Sequence, residues 1–222
     1  MSTLSQLQGL SGRRVFAVGS MACLLCLCLI PQAFGADVVR VEEEWELVVA
    51  TPDQASNSPQ VACAMAPFSQ LDWLYMTFEI NHRSDPDYVA GGLNLMVWHG
   101  EQHLLTKTSS DTHAMATTGE TVRWTQAMAV QNGQVTFEVI GGSSVTWGSF
   151  GEPGCLKATI AAPLTNLNYY SPNVSVKHSG ITFASSSVSK LTLKSIRYFR
   201  SDGTVQVDAR PRVVFQAAPV AP

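Results

Sequence analysis

The stretch 120-ETVRWTQAMAVQNGQVTFEVI-140 predicts two β-strands joined by a tight turn. Its Asn132-Gly133 pair is a strong hairpin signal, because a two-residue type I′ turn needs positive φ at both central positions. Apolar and polar residues alternate after the turn, and successive side chains of a strand point to opposite faces. One face is therefore expected to enter a core: Val135, Phe137 and Val139. The other face is expected to meet water: Gln134, Thr136 and Glu138.

The rest of the chain repeats this pattern of short strands and turns. Turn signals such as Ser58-Pro59, Gly91-Gly92 and Asp202-Gly203 separate runs rich in Val, Ile, Thr, Phe, Tyr and Trp. No window of a dozen residues keeps the 3.6-residue apolar spacing of an amphipathic helix. This pattern is typical of a sandwich or barrel, and it predicts an all-β fold of two antiparallel sheets.

Alternation assigns faces in two further strands. In 71-LDWLYMTFEINH-82 the core face is expected to hold Leu74, Met76, Phe78 and Ile80. In 41-VEEEWELVV-49 the apolar face holds Trp45, Leu47 and Val49. The opposite face of that strand carries Glu42, Glu44 and Glu46. Three like charges on one face would discourage edge-to-edge pairing with another molecule.

The closing strand, within 187-SVSKLTLKSIRYFRSDG-203, breaks the period of two. Leu191 and Leu193 share one parity, whereas Ile196 and Tyr198 have the other, so a regular strand cannot bury all four on one face. Either both faces are covered, or an extra residue near Lys194-Ser195 forms a β-bulge. We favour the bulge.

Both ends of the chain fall outside the predicted domain, which covers residues 36–205. Residues 1–35 are typical of a secretory signal peptide, with Arg13-Arg14 ahead of an apolar run and small residues before a cut at Ala36. The apolar run, 16 residues over 15–30, is shorter than the roughly 20 residues that span a bilayer, which disfavours a retained anchor. Residues 206–222 are rich in Pro and Ala and predict a disordered tail. We therefore expect a secreted, periplasmic or cell-surface protein with no stable membrane span after cleavage.

Charge and cysteine content narrow the classes of partner. Cleavage removes Arg13 and Arg14, so Lys+Arg falls from 14 to 12 against 17 Asp+Glu, a net charge near −5. Nucleic-acid binding usually needs a basic patch or stripe, so no nucleic-acid partner is expected. Cys63 and Cys155 remain after cleavage, in an oxidising compartment. They form either one disulfide or two separate thiols, since the sequence does not show whether they are close.

The layout resembles a known class of β-sandwich. Many short strands, the Asn132-Gly133 hairpin and a closing Ile196-Arg197-Tyr198-Phe199 before Asp202-Gly203 are similar to concanavalin-A-like and laminin-G-like jelly rolls over residues 40–205. The resemblance implies carbohydrate binding on a concave sheet face, in some members with calcium, and in some members glycan hydrolysis. The similar hydrolases carry Glu-x-Asp-x-x-Glu on one strand, and this chain has no such run.

Candidate catalytic and metal-binding groups are few. The segment 99-HGEQH-103 fits neither zinc-protease motif, and two His four apart on a strand lie about 13 Å apart, too far for one metal. The segment 81-NHRSDPDY-88 offers oxygens for calcium, but Pro86 between Asp85 and Asp87 favours an ordinary acidic turn. The sequence therefore predicts no metal, no cofactor and no catalytic residue.

Aromatic side chains outside the predicted core form the candidate site. Flat rings cover the apolar face of a pyranose while polar groups bind its hydroxyls, although Trp and Tyr in strands also cap sandwich cores. If two predicted strands present these side chains on one sheet face, six residues form the predicted ligand-binding set: Trp73, Tyr75, Glu79, Asn81, Asn94 and Trp98.

The stretch 141-GGSSVTWGSFGEPGC-155 admits two interpretations. It is either a ligand loop around Trp147 and Phe150 or a tight connection between strands. Val145 and Trp147 alternate with polar neighbours, which favours a short strand that inserts Trp147 into the core, with the glycines serving the turns around it.

Three functions from different classes remain open. The first is an exported, non-catalytic module that binds carbohydrate or a cell-envelope glycan. The second is a structural or interaction protein of the cell envelope, whose partners are envelope proteins. The third is a glycan-active hydrolase or lyase, which would need two carboxylates about 5–10 Å apart across a cleft.

Overall fold

Alternating apolar residues fold into thirteen strands and one short α-helix in the computed structural model, which describes residues 35–82, 91–151 and 154–218. The predicted signal peptide, apart from its last residue, and the acidic pair Asp85 and Asp87 lie outside these residues. In chain order the elements are β1 (Val38–Val49), β2 (Gln60–Met65), β3 (Leu74–Ile80), β4 (Leu93–His99), β5 (Gln102–Thr108), β6 (Thr121–Gln131), β7 (Gln134–Ser144), β8 (Gly148–Phe150), β9 (Lys157–Ala161), α1 (Pro172–His178), β10 (Gly180–Phe183), β11 (Val188–Arg200), β12 (Val205–Asp208) and β13 (Arg212–Gln216).

The strands form two antiparallel sheets. The eight-stranded sheet has the order β12-β11-β1-β6-β7-β8, with β13 also pairing β11 and β9 also pairing β7. The five-stranded sheet has the order β10-β2-β3-β4-β5. Buried apolar side chains of both sheets belong to one core cluster. The chain is therefore an all-β, two-sheet antiparallel sandwich, as the sequence predicts.

The central hairpin forms as predicted. Asn132 and Gly133 have φ of 51° and 71°, as a type I′ turn requires. The predicted inward residues of β7 are buried: Val135, Phe137 and Val139. Fully burying a side chain as large as Phe137 stabilises the fold by about 1.5–3 kcal/mol, so the hairpin is fixed by its core face as well as by its turn.

Strand β1 confirms its predicted apolar face but not the suggested role of its carboxylates. Trp45 and Leu47 are fully buried. The strand lies between β11 and β6, inside the eight-stranded sheet, so its carboxylates protect no edge. Glu42 instead contacts Arg197 of β11 at 2.7 Å, and Glu46 contacts Arg123 of β6 at 2.9 Å. The outer-face acids thus bridge neighbouring strands.

The predicted bulge in β11 is confirmed. Ser195 pairs with Glu44, whereas the next residue of β1, Trp45, pairs with Leu193, so Lys194 is the extra residue. The shift changes parity and lets residues from both halves of the strand enter the core. Leu191, Leu193 and Ile196 are all fully buried.

The glycine-rich stretch is, over residues 141–151, a tight connection between strands, as favoured by its sequence. Trp147 is 6% exposed, and its indole Nε1 donates to the His113 carbonyl at 2.9 Å. It enters the core from the turn between β7 and β8 rather than from a strand. A Cβ on Gly142 would lie 2.0 Å from the ring of Phe150, so only glycine permits this packing.

The expected disordered tail is wrong for residues 206–218. β12 pairs with the end of β11 and β13 with its first half, so two short strands cover one edge of β11. Composition misled the prediction because Pro211 falls between these strands, where no ladder hydrogen bond is required. Phe215 of β13 is partly buried against the core. Residues 219–222 lie outside the described part of the chain.

Cys63 and Cys155 are separate thiols, which decides between the two interpretations of the sequence. Cys63 is buried in β2 and Cys155 is exposed. Burial raises the pKa of the Cys63 thiol well above its usual range, so it remains protonated.

Helix α1 begins with Pro172 in its first turn. Ser179, at the end of the helix, accepts a hydrogen bond from the Ala64 amide of β2 at 2.9 Å.

Candidate functional site

Strand β3 places its two faces as predicted. The core face is buried: Leu74, Met76, Phe78 and Ile80. The outer face is partly exposed: Tyr75, Thr77 and Glu79. β3 is the central strand of its sheet, so its outer side chains have neighbours on both sides. The candidate site is therefore built on this face of the five-stranded sheet.

Tyr75 and Trp98 form the centre of the candidate site. They are direct cross-strand partners, and their rings stack with centroids 6.4 Å apart and planes 10° apart. The Trp98 indole Nε1 donates to Thr77 Oγ1 at 3.2 Å, which fixes the orientation of the ring. The ring centroids of His103 of β5 and Trp98 lie 5.0 Å apart, so the aromatic row extends across three strands. Both Tyr75 and Trp98 remain partly exposed.

Trp73 does not join this row. It precedes β3 and packs partly against the core. Its ring centroid lies 5.3 Å from that of Phe68 and 6.2 Å from that of His99. Phe68 in turn contacts Tyr169, which is 75% exposed. Trp73 thus belongs to a second aromatic row, formed by the segment that leads into β3.

Two polar residues of the predicted ligand-binding set, Asn81 and Asn94, are buried. Asn81 is fully buried with φ of 57°; its amide donates to the Pro59 carbonyl at 2.8 Å, and its oxygen accepts from the Met115 amide at 3.1 Å. Glu79 and Asn94 are cross-strand partners, but Asn94 is fully buried and Glu79 contacts His82 at 2.5 Å. Asn81 is therefore a structural residue, and the expectation that its side chain binds a ligand is corrected.

A surface cavity of about 590 Å³ lies beside Tyr75. Its polar lining includes Gln70, Asp72, Glu101 and Lys177, which are all exposed. Within residues 35–82, 91–151 and 154–218, these four side chains make no hydrogen bond or ion pair with the protein. They are therefore available to bind a ligand.

A second depression of about 440 Å³ lies beside Trp73 and Phe68. It shares Ser69, Gln70 and Asp72 with the cavity beside Tyr75, so the 69–72 segment forms the ridge between the two. The sequence drew attention to the aromatic residues by their parity. It gave no signal for the ridge, because loop residues have no period that assigns them a face.

A buried carboxylate is the polar feature that the sequence interpretation missed. Glu43 of β1 is fully buried and accepts four hydrogen bonds, two on each oxygen. Trp45 Nε1 and Gln126 Nε2 donate to Oε2 at 2.9 and 2.7 Å. The hydroxyls of Tyr170 and Ser175 donate to Oε1. Burial raises the pKa of Glu43, against the opposite effect of these donors.

The available signal for Glu43 was its parity. In the strand of 41–49 it shares a face with Trp45 and Leu47, which places a carboxylate among core residues. Its donors come from β1, β6, the segment before α1 and α1 itself. The cluster therefore ties the helical segment to the eight-stranded sheet.

Among the described residues, no group of three or more His, Cys, Asp and Glu side chains could hold a metal ion. His99 contacts Trp73 whereas His103 contacts Trp98, so the two His belong to different aromatic rows. No helix in this part of the chain has the length and apolar character needed to cross a bilayer.

Comparison with known proteins gives no assignment. No protein-family model matches the sequence, and no curated protein matches it.

Proposed function

We propose that the chain is an exported, non-catalytic module that binds carbohydrate, with a cell-envelope glycan as its ligand. The observation that carries the proposal is the stacked, partly exposed Tyr75–Trp98 pair beside a cavity of about 590 Å³. A sugar ring presents an apolar face and a rim of hydroxyls. The aromatic row would cover the first, and the polar lining of the cavity would bind the second.

The position of the polar groups supports this reading. Asp72 and Glu101 supply acceptors, Lys177 supplies donors and Gln70 supplies both, and all four line the same cavity as Tyr75. Glu101 lines the same cavity as Tyr75, and burial and then this carboxylate raise the pKa of the phenol. A carboxylate next to an aromatic ring is a suitable acceptor for a hydroxyl of a stacked sugar.

A glycan screen followed by titration of purified variants tests the proposal. Tyr75→Ala and Trp98→Ala are each expected to weaken binding of any glycan hit at least tenfold, because anchoring aromatic residues dominate such sites. Phe183→Ala is the matched control, since Phe183 is an aromatic residue 46% exposed on β10 of the same sheet. Unchanged affinity in both site variants, or equal loss in the control, would contradict the proposal.

A glycan hydrolase is the second candidate, and one observation favours it. Asp72 and Glu101 line one cavity, and glycosidases use two carboxylates across a cleft. Release of reducing sugar from a bound glycan, abolished in both Asp72→Asn and Glu101→Gln, would support hydrolysis over simple binding. A structural protein of the envelope is the outcome if no glycan binds.

A further inference from the structure

A second large cavity opens where β1 begins and β11 ends. Its volume is about 600 Å³, within the range of small-molecule sites. Its wall is formed by Val38 at the start of β1, the segment before α1, the end of β11, and β12 with the two residues that follow it. None of its lining residues lines the cavities beside Tyr75 and Trp73.

Positive charge predominates in this cavity. Arg200 and Arg210 line it together with one carboxylate, Asp208. Asp208 accepts from Arg210 Nε and Nη2 at 2.9 Å each and from Arg212 at 2.6 Å. Hydrogen bonds from Arg210, and then from Arg212, hold the pKa of Asp208 well below its usual range, so it stays ionised. Two arginines on one carboxylate leave one positive charge uncompensated, and Arg200 adds a second.

Arg200 is held in place by neutral groups. Its Nη1 donates to the Ala36 carbonyl at 2.8 Å and its Nη2 to Gln206 Oε1 at 3.0 Å. A guanidinium carries five N–H donors, so about three remain for a ligand. No carboxylate forms an ion pair with Arg200 in the described part of the chain. The fold thus orients Arg200 without a direct ion pair, and the electrostatic effect of the nearby Asp202 is a minor one.

Tyr198 supplies partly exposed aromatic surface in the same cavity, and the buried Tyr170 packs against it. The rings of Tyr170 and Tyr198 meet edge to face with centroids 5.8 Å apart. The Tyr170 hydroxyl is bonded to the buried Glu43, which fixes that ring. The cavity therefore combines rigid aromatic surface with oriented guanidinium donors.

We propose that this cavity binds a small carboxylate-bearing ligand of the acidic-monosaccharide type. A ligand carboxylate can accept charge-assisted hydrogen bonds from the N–H groups that remain, on Arg200 and on Nη1 of Arg210, whose Nε and Nη2 bind Asp208. The body of the sugar ring lies against Tyr198. This site is independent of the glycan site at Tyr75.

Titration calorimetry with three probes tests the ligand class on the full chain. D-galacturonate carries the ring and the carboxylate, D-galactose carries the ring alone, and inorganic phosphate carries anionic charge without a planar carboxylate. Galacturonate is expected to bind at least tenfold more tightly than either other probe. Equal binding of galactose or of phosphate, or no binding of galacturonate, overturns the proposal.

Two variants locate the binding. Arg210→Gln is expected to weaken galacturonate binding about tenfold, because one charge-assisted contact is lost at an exposed position with no core role. Arg123→Gln is the matched control: it also removes an exposed arginine paired with a carboxylate, on the outer face of β6. Tyr75→Ala should leave galacturonate binding unchanged. Loss of binding in Tyr75→Ala with retention in Arg210→Gln would place the ligand at the aromatic face and overturn the inference.

Discussion

Two regions of this molecule place carboxylates beside aromatic rings, and the carboxylates differ in burial and in hydrogen bonding. Glu43 lies inside the sandwich beside Trp45 and Tyr170, and both its oxygens are fully hydrogen-bonded. Asp72 and Glu101 lie at the surface beside Tyr75, and within the described residues neither makes a side-chain hydrogen bond to the protein.

The difference follows from access to water. A buried polar group without partners costs several kcal/mol, so a carboxylate in the core is retained only with donors from the surrounding elements. An exposed carboxylate is hydrated and needs none. The first arrangement holds the fold together, whereas the second leaves the hydrogen-bonding capacity of the carboxylates unused by the described part of the protein.

Removal of each carboxylate gives the largest expected contrast. Glu43→Ala should lower the free energy of unfolding by roughly 2–4 kcal/mol, because it leaves a cavity and the buried Trp45 Nε1 without an acceptor. Glu101→Ala should change it by less than about 0.5 kcal/mol, as is usual at exposed positions. Urea denaturation measures both. A Glu43→Ala variant as stable as the parent would mean that the cluster is not a structural tie.

A pair of tyrosine substitutions sharpens the comparison by removing one hydroxyl from each region. Tyr170→Phe should lower the free energy of unfolding by about 1.5–2 kcal/mol, because it removes a hydrogen bond to a buried carboxylate. The loss is limited because Ser175 still donates to the same oxygen. Tyr75→Phe should leave the free energy of unfolding nearly unchanged. Equal losses in the two variants would show that the Tyr75 hydroxyl has an unrecognised structural partner.

The sequence predicts the strand pattern well because alternation and turns are local. The hairpin at Asn132-Gly133, the core face of β3 and the bulge at Lys194 all follow from neighbours within a few residues. The Glu43 cluster does not, because Tyr170 and Ser175 are 127 and 132 residues away in the chain. Parity placed Glu43 in the core, but only the fold shows what surrounds it.

The candidate site was predicted in part for the same reason. Parity correctly put Tyr75 and Trp98 on one outer face. It failed for Asn81, where the chain leaves the strand with a positive φ and turns the amide inward. Composition failed for the 206–218 segment, where pairing with β11 outweighs a Pro- and Ala-rich sequence typical of disorder.

The pH dependence of stability separates the two regions further. A carboxyl group whose pKa is raised by burial favours the folded state below its ordinary value, about 4.5, and loses that contribution as pH rises through the folded value. Glu43→Gln keeps the shape and an oxygen for Trp45 and Gln126, and its amide can donate to the hydroxyls of Tyr170 and Ser175. Its stability relative to the parent should therefore increase with pH, by at most about 1.4 kcal/mol per pH unit.

Urea denaturation of parent and Glu43→Gln across the acid to neutral range gives this difference directly. Acids whose pKa is lowered, such as the partly buried Asp208, reduce the stability of both proteins as pH falls, so their contribution cancels in the difference. A constant difference between the two proteins would mean that Glu43 does not change its protonation relative to the unfolded chain over that range. Glu101→Gln, at an exposed carboxylate, is the surface control measured over the same range.

The smallest expected effect on stability concerns Trp98, and it bears most directly on the surface region. Trp98 is partly exposed, stacks on Tyr75 and forms one hydrogen bond, to Thr77. Trp98→Ala opens no sealed cavity, because the ring lies on the outer face of the sheet. We expect a loss of under about 1 kcal/mol in a thermal or urea melt, the ordinary range for surface substitutions. Phe183→Ala, at an exposed aromatic position of the same sheet, should give a similar small loss. A loss of several kcal/mol for Trp98 alone would show that the aromatic row is a structural element like the Glu43 cluster, and the contrast between the two regions would no longer hold.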